Sequence, residues 1–508
     1  MGNGVWRALV VLHRYLGVAV GLLMAMWFVS GIVMMYVGFP QLQEAERLRL
    51  RPPVPWQECC RFGERLVPDD QAILRAQIET HAGGPALRLR RAGQPDALVD
   101  LARGSVIRID ADFAKSVAAA AAPRLIGRET AIVAYERLDV DQWTVGRYVR
   151  DRPLHRFDFD DPARTSIYVS GTAGQIVVWT TATQRFWNWL GTVPHWLYFT
   201  AMRSDVALWS EIVIWAAVLG SFLTVVGIVL GITQFRRGRS PYRGIFYWHH
   251  LAGLAFGLVT LTFVVSGLLS MNPWGLLDSR GGGEATRIQG AATSWTEIKT
   301  SVAALRAQPA LADAVSLTTA PLGGRLHWLV THEDGSRTRL DAAGASAPLL
   351  PADLAAAAER LAAPHGIAAQ GIIPEEDAYY FRRRDAFVMP VYRVIVNDAE
   401  QTRYYLDPAS GALIQRTDAN GRWHRWLFGA LHRFDFAFLR QRPLWDIVVL
   451  LLMLGGTAVA ATGSYLALRR IGADIASVWR RRSGAPVRGN APVASVAPDA
   501  RSELSGSP

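Results

Sequence analysis

The sequence has little cysteine: its two cysteines, Cys59 and Cys60, are adjacent. An adjacent pair excludes a framework of several disulfides, and it also excludes a zinc or iron–sulfur centre built on cysteine ligands. The pair itself is compatible with a vicinal disulfide and equally with free or intermolecular thiols.

Charged residues are also scarce, at 19% of the chain, whereas 50% of the residues are apolar. This balance excludes disorder as the general state and, over 508 residues, predicts several folded parts. The net charge of +11 is spread along the chain, and no compact lysine or arginine cluster is interleaved with aromatic residues. Nucleic acid is therefore excluded as a partner.

Four apolar stretches are long enough to cross roughly 30 Å of hydrocarbon as helices, and they imply contact with membrane lipid. Arginines crowd the short segment between the second and third stretches, and more arginines follow the fourth. By the positive-inside rule both termini are expected in the cytoplasm. The predicted membrane spans are residues 15–37, 206–233, 251–271 and 444–468.

The spans leave two large segments on the outer side of the membrane, which in a bacterium is the periplasm. Alternating apolar runs broken by turn residues predict antiparallel hairpins at 86–109, 165–179, 326–342 and 392–414, and helical spacing predicts a helix at 353–363. Each outer domain is therefore expected to be α+β. The predicted segments are the cytoplasmic N-terminus with the first span (1–37), outer domain 1 (38–184), an interfacial aromatic segment (185–205), the second span (206–233), a cytoplasmic loop with the entry to the third span (234–250), the third span (251–271), outer domain 2 (272–421), a second interfacial segment (422–443), the fourth span (444–468) and a disordered cytoplasmic tail (469–508).

The chain contains an internal duplication. Residues 6–31 and 242–267 are identical at nine of 26 positions without a gap, and residues 153–195 and 390–432 are identical at twelve of 43. Each copy holds two spans, an even number, so both copies have the same orientation. The sequence thus predicts an α-helical membrane protein with four transmembrane helices in two parallel tandem repeats, related by a pseudo-two-fold axis along the membrane normal.

The repeated motifs resemble the PepSY-associated transmembrane family, also described as iron-regulated membrane proteins, over nearly the whole chain except the tail. The motifs are Trp6-Arg-x5-His13-x3-Gly17-x3-Gly21, its copy from Tyr242, the Tyr-x-Asp-x3-Gly hairpin from Tyr405 to Gly411, and the Trp-x5-His element before the second and fourth spans. The first-half hairpin departs from the motif, with Ser170 where the second half has Asp407. The resemblance implies a bacterial inner-membrane protein with two periplasmic PepSY-like domains. It also implies similarity to ferric-siderophore reductases that carry b-type haem on membrane histidines.

Two pairs of histidines occupy matching positions in the repeats. His13 and His249 lie at the cytoplasmic ends of the first and third spans, and His195 and His432 lie just outside the periplasmic starts of the second and fourth. A lone histidine at a membrane boundary can simply solvate the end of a helix. A symmetric pair, in contrast, can offer one neutral imidazole nitrogen to each side of a haem iron. We therefore predict two haem b groups with these four histidines as iron ligands.

Two axial histidines leave no open position on the iron, so the predicted function is electron transfer by a haem-dependent oxidoreductase. The expected donor is a cytoplasmic protein or a quinol. The resemblance implies a ferric chelate or siderophore in the periplasm as the acceptor, which makes the protein a ferric reductase.

Glycines share the histidine-bearing faces of the first and third spans. Gly31 and Gly267 follow His13 and His249 by 18 residues, five turns or about 27 Å along a helix, where a second macrocycle would need room. Gly17 and Gly253, one turn from the histidines, leave the helix surface without a side chain next to the inner site. These glycines also fit a role in the close approach of helices.

Other residues and functions compete with these assignments. His250 is a reserve ligand in place of His249, and His424 is a weaker reserve because its counterpart is Trp187. A non-redox protein that displays PepSY-like domains to bind a peptide or regulate a peptidase is the main alternative function. A transporter is disfavoured, since no span is discontinuous and no charge sits in the middle of a span.

Overall fold

The computed structural model describes residues 3–63, 67–68, 70–94, 96–279, 281–306, 308, 311–381 and 387–482. The predicted disorder of the tail from residue 483 onward lies outside these residues. The α-helices are α1 (Asn3–Met34), α2 (Glu44–Arg49), α3 (Ala111–Ile126), α4 (Ala182–Leu190), α5 (Thr192–His195), α6 (Thr200–Arg203), α7 (Val206–Gln234), α8 (Ile245–Ser270), α9 (Glu284–Gln289), α10 (Trp295–Leu305), α11 (Pro351–Ala362), α12 (Ala419–His424), α13 (Leu431–Arg433) and α14 (Leu444–Arg482).

Four of these helices, α1, α7, α8 and α14, are long and apolar enough to cross a membrane. They confirm the four predicted spans. Helix α1 packs against α7 and α14, and α8 packs against the same two helices, so the four form a closed ring. The centre of the ring is filled by buried apolar side chains, namely Met24, Phe28, Leu223, Phe263 and Met453.

The membrane helices are longer than the predicted spans. Helix α1 begins at Asn3 rather than 15, α8 begins at Ile245 rather than 251, and α14 continues past 468 to Arg482. Apolar composition marks only the part of a helix that lies in hydrocarbon, whereas its backbone hydrogen bonds continue beyond it. On the extension of α14, Arg470 pairs with Asp474 at 3.0 Å. Residues 469–482 are therefore helical and do not belong to the disordered tail predicted from 469.

The outer segments contain antiparallel strands at the predicted hairpins. Each half has a helix-plus-sheet lobe, in which α3 packs on one four-stranded sheet and α11 packs on another. The strands are β1 (Ala72–His81), β2 (Gly84–Arg91), β3 (Ala97–Asp100), β4 (Ser105–Val106), β5 (Ile132–Leu138), β6 (Leu154–Phe159), β7 (Ser166–Ser170), β8 (Ile176–Thr180), β9 (Thr293–Ser294), β10 (Ala314–Thr319), β11 (His327–His332), β12 (Arg337–Asp341), β13 (Ile367–Ile373), β14 (Val391–Val396), β15 (Arg403–Leu406) and β16 (Leu413–Thr417). The α+β character of the outer segments is confirmed.

Strand β1 forms the seam between the two halves of the chain. It pairs with β2 in its own hairpin and also pairs antiparallel with β10 of the second half, where Ile78 lies opposite Leu317. The resulting sheet runs β12-β11-β10-β1-β2-β3-β4. Its core combines both halves, because Leu87, Trp295 and Trp328 pack in one buried cluster. The two segments expected to be separate domains therefore share a sheet.

The shared sheet predicts a strong effect of truncating Leu317. This side chain is fully buried, at 0% exposure, so Leu317→Ala is expected to lower the free energy of unfolding by about 2–5 kcal/mol. Leu350→Ala is the matched control, since Leu350 is 61% exposed and surface substitutions usually change stability by about 0.5 kcal/mol or less. Thermal unfolding followed by circular dichroism compares the two variants. Equal melting temperatures for the two variants would contradict the conclusion that the seam is part of the core.

Candidate functional site

The structure brings the inner histidine pair together inside the ring of membrane helices. The ring centroids of His13 on α1 and His249 on α8 lie 6.3 Å apart, and their planes are inclined by 35°. His13 Nδ1 is 3.2 Å from the backbone oxygen of Leu223 on α7, and His249 Nδ1 is 3.0 Å from the hydroxyl oxygen of Thr462 on α14. Each imidazole is thus held by a neighbouring helix.

The outer pair comes together in the same way. His195 on α5 and His432 on α13 have ring centroids 6.1 Å apart. His195 Nδ1 lies 3.0 Å from the backbone oxygen of Trp27 on α1, and His432 Nδ1 lies 3.1 Å from that of Phe263 on α8. The histidines that precede α7 and α14 are therefore anchored on the other two membrane helices.

Two serines complete the anchoring of the outer pair. The Ser30 hydroxyl donates to the backbone oxygen of Met26, and the Ser266 hydroxyl donates to that of Thr262, both at 2.6 Å. Each serine oxygen is then left to accept from the nearby histidine Nδ1, at 3.2 Å for Ser30 and 3.1 Å for Ser266. The internal duplication matches Ser30 with Ser266, but no role was predicted for either serine.

These contacts fix which ring nitrogen carries the proton. A backbone oxygen can only accept, so Nδ1 of His13, His195 and His432 is the donor. The same holds for His249, because the Thr462 hydroxyl donates to the backbone oxygen of Ala458 at 2.6 Å. Within the part of the chain that the structure describes, none of the four Nε2 atoms has a hydrogen-bond partner. A histidine that binds a metal through one ring nitrogen usually donates the proton of the other in this way.

The outer histidines lie in short helices outside the membrane-spanning helices. Burial lowers the pKa of His195 to about 4 and the pKa of His432 to about 3. Both imidazoles are therefore neutral at pH 7, the form in which histidine binds a metal.

The spacing of each pair fits one metal ion between the two rings. A histidine nitrogen binds a metal at about 2.0 Å. Since the ring centre lies about 1 Å behind Nε2, two imidazoles on opposite sides of one ion have centroids roughly 6 Å apart. The observed separations are 6.3 Å and 6.1 Å. The described residues contain no group of three or more histidine, cysteine, aspartate or glutamate side chains that could hold a metal.

Glycines lie against the histidine rings. A Cβ added at Gly31 would lie 3.3 Å from His195 Cε1, and one added at Gly267 would lie 3.3 Å from His432 Cε1. These glycines were predicted to leave room for a macrocycle. An imidazole ring lies beside each of them, and at Gly31 the methyl group of Met453 lies nearer still, 2.5 Å from the added Cβ. A Cβ at Gly17 would meet no atom within 4 Å. The same is true of its counterpart Gly253.

Sequence reasoning missed the two glycines that border the inner pair. A Cβ at Gly227 on α7 would lie 2.7 Å from His13 Cε1, and one at Gly463 on α14 would lie 2.9 Å from His249 Cε1. A larger residue at either position would displace the ring. The sequence does contain a signal for these two glycines, because Gly463 follows Gly227 by the same 236 residues that separate His249 from His13.

The reserve histidines have other environments. His250 is buried, with Nδ1 2.7 Å from the Ser240 hydroxyl and Nε2 2.8 Å from the backbone oxygen of Gly231. Both of its nitrogens are occupied, so His250 does not replace His249. His424 precedes a π-helical turn, Arg425–Ala430, and its ring packs on Phe428 with centroids 5.4 Å apart.

The fold defines a class: a membrane protein with four transmembrane helices and α+β lobes. The sequence model described as the PepSY-associated TM region matches residues 10–470. The chain therefore belongs to this family, which confirms the resemblance found in its motifs. The match includes all four paired histidines. No curated protein sequence matches the chain.

The contact between Gly227 and His13 predicts that an alanine is not tolerated there. Because the added Cβ would lie 2.7 Å from the ring, Gly227→Ala is expected to lower the free energy of unfolding by about 1–3 kcal/mol. Gly472→Ala is the matched control, since it adds the same methyl group to α14 at a position where no atom lies within 4 Å. Melting temperatures of the two purified variants measure the difference. A Gly227→Ala protein as stable as Gly472→Ala would show that the ring moves freely.

Proposed function

We propose that the protein binds two haem b groups, one at each histidine pair, and carries electrons across the membrane to a periplasmic acceptor. The observation that carries the proposal is the shared geometry of the two pairs. In both pairs, each Nδ1 donates to an oxygen of another helix, and no Nε2 has a hydrogen-bond partner among the described residues. The centroids of the two rings lie about 6 Å apart in each pair. Two unrelated interfacial histidines would have no reason to repeat this arrangement at both ends of the ring of helices.

When bound, a haem with two histidine ligands supplies reversible one-electron transfer and offers no open position for oxygen chemistry. The chain itself holds the imidazoles neutral and correctly oriented. His13 and His249 would hold the inner group, and His195 and His432 the outer group. The anchoring oxygens on α1, α7, α8 and α14 stop the rings from rotating when the charge of the site changes.

The positions of the two pairs suit transport across the membrane. His13 and Gly31, which contacts His195, are separated on α1 by 18 residues, or about 27 Å of helix. Between the two pairs lies a water-excluding apolar core in which the rings of Phe28 and Phe263 are 5.8 Å apart. Because the dielectric constant of such an interior is low, it does not stabilise a free charge between the two pairs.

We infer that the two halves are parallel repeats around a pseudo-two-fold axis. Matching residues make matching contacts, since Trp27 and Phe263, which hold the outer pair, are separated by the same 236 residues as His13 and His249. The arginines between α7 and α8 and after α14 support cytoplasmic termini in a bacterial inner membrane. The outer lobes would then face the periplasm.

The proposed acceptor is a ferric siderophore or another ferric chelate, and the proposed donor is a cytoplasmic protein or a quinol. The resemblance of the sequence motifs, which implies similarity to ferric-siderophore reductases, supports this choice. The function is thus a haem-dependent ferric reductase. The reduction itself moves one electron to Fe³⁺ in the chelate, and the weaker binding of Fe²⁺ by hard oxygen ligands would release the metal.

A membrane-anchored binding or peptidase-regulating protein is the second candidate. Strands β5 and β13 lie at the edges of their four-stranded sheets, and most of their side chains are partly or fully exposed. An open sheet edge can add an extended peptide as a further strand. This function needs no haem.

The test is an absorption spectrum of protein purified in detergent from cells with ample haem supply. We expect low-spin b-type Soret and α bands after reduction with dithionite. His13→Ala and His195→Ala are each expected to remove about half of the haem, because each destroys one of two axial pairs. Haem per protein, measured as the pyridine complex, gives the stoichiometry.

His365→Ala is the control for these substitutions, because His365 is exposed in the outer region away from both pairs. It should retain the full haem content. Protein free of bound tetrapyrrole would overturn the reductase and favour the binding protein. Haem loss that is the same in His365→Ala as in His13→Ala would overturn the assignment of the ligands.

A further inference from the structure

A cavity of about 100 Å³ lies in the first half of the outer region, away from the histidine pairs. Its walls come from α2, the turn between β1 and β2, α3, and the start of β8. These elements belong to different lobes, so the cavity sits where the lobes meet. Three arginines line it, Arg47, Arg51 and Arg124, together with a single acid, Glu79.

The charge of Glu79 is already matched by other groups. One of its carboxylate oxygens contacts Arg88 and lies 2.9 Å from His81 Nε2, and the other lies 3.3 Å from Arg51 Nε. His81 Nδ1 faces the backbone oxygen of Gly174 at 3.2 Å. Glu79 therefore offsets the charge of Arg51 in part, and it leaves Arg47 and Arg124 without an acidic partner among the lining residues.

The three lining arginines keep unused donors. Arg51 contacts Glu79 only through Nε, and Arg47 has only the exposed Glu44 nearby, at 3.9 Å. The side chain of Arg124 makes no ion pair and no hydrogen bond with any residue that the structure describes. Each guanidinium offers a planar fork of N–H donors that matches a carboxylate or a phosphate. Several cations around one small space are destabilising unless an anion joins them.

We propose that this cavity binds a small oxyanion, a carboxylate or phosphate group, through Arg47, Arg51 and Arg124. Its volume suits one such group, either as a free anion or as the charged end of a larger molecule. The inference does not rest on haem, since none of these residues touches the histidine pairs.

A second cavity, beside β10 and the turn between β15 and β16, has a volume of about 280 Å³, and Arg75 is its one charged lining residue. It lacks the cluster of guanidinium groups that recognises an oxyanion. The proposal therefore concerns the first cavity alone.

Isothermal titration calorimetry tests the proposal on the full-length protein in detergent, at constant ionic strength. Citrate is the carboxylate probe, inorganic phosphate is the phosphate probe, and glucose is the uncharged control. Binding of citrate or phosphate, with no binding of glucose, is the expected result. The probe that binds more tightly identifies the group. In the double variant Arg47→Gln, Arg124→Gln the Kd is expected to rise by at least about tenfold, because two charge-assisted contacts are lost.

Arg108→Gln is the matched control, since Arg108 is an exposed arginine outside the cavity. It should leave the Kd unchanged. If the double variant loses thermal stability, the single substitution Arg124→Gln at an exposed residue replaces it, with a smaller rise in the Kd. An unchanged Kd in the arginine variants, or no binding of either anion by the wild-type protein, would overturn the proposal.

Discussion

The hydrogen bonds from histidine Nδ1 to oxygens of neighbouring helices are the constraint on which the site depends. A helical backbone oxygen that already accepts from the amide four residues on still has a second lone pair, and the Leu223, Trp27 and Phe263 oxygens use it for a ring. The orientation of every imidazole therefore depends on how the membrane helices pack. Close packing in turn depends on Gly227 and Gly463, because the absence of a Cβ lets Cε1 of each inner histidine approach the facing helix.

The sequence predicted the parts of this fold that depend on local pattern. Apolar length located the four membrane helices, and alternation located hairpins such as β7 with β8. Neither signal shows where a helix ends in water. The end of α14 at Arg482 was therefore not predicted. The pairing of β1 with β10 was also beyond reach, because backbone hydrogen bonds between strands leave no mark in residue types that would name the partner.

For the candidate site, the duplication was enough to pair the histidines, since a match at equal offset places His13 with His249 and His195 with His432. It did not reveal what holds them, because the partners of Nδ1 include backbone oxygens that every residue possesses. The basic cavity was invisible for another reason. Arg47 and Arg124 are far apart in sequence, and no pattern of residue types shows that the fold brings them to one cavity.

The seam between β1 and β10 also bears on the origin of the chain. Two antiparallel strands that meet edge to edge present the same kind of surface to each other, as at the interface of a symmetric dimer. A shorter protein with only one such unit would expose that edge to water, and joining a second copy of itself is the simplest way to cover it. Fusion of the two genes would then have turned the contact between two copies into a contact within one chain. Each half would afterwards have been free to acquire features that the other lacks.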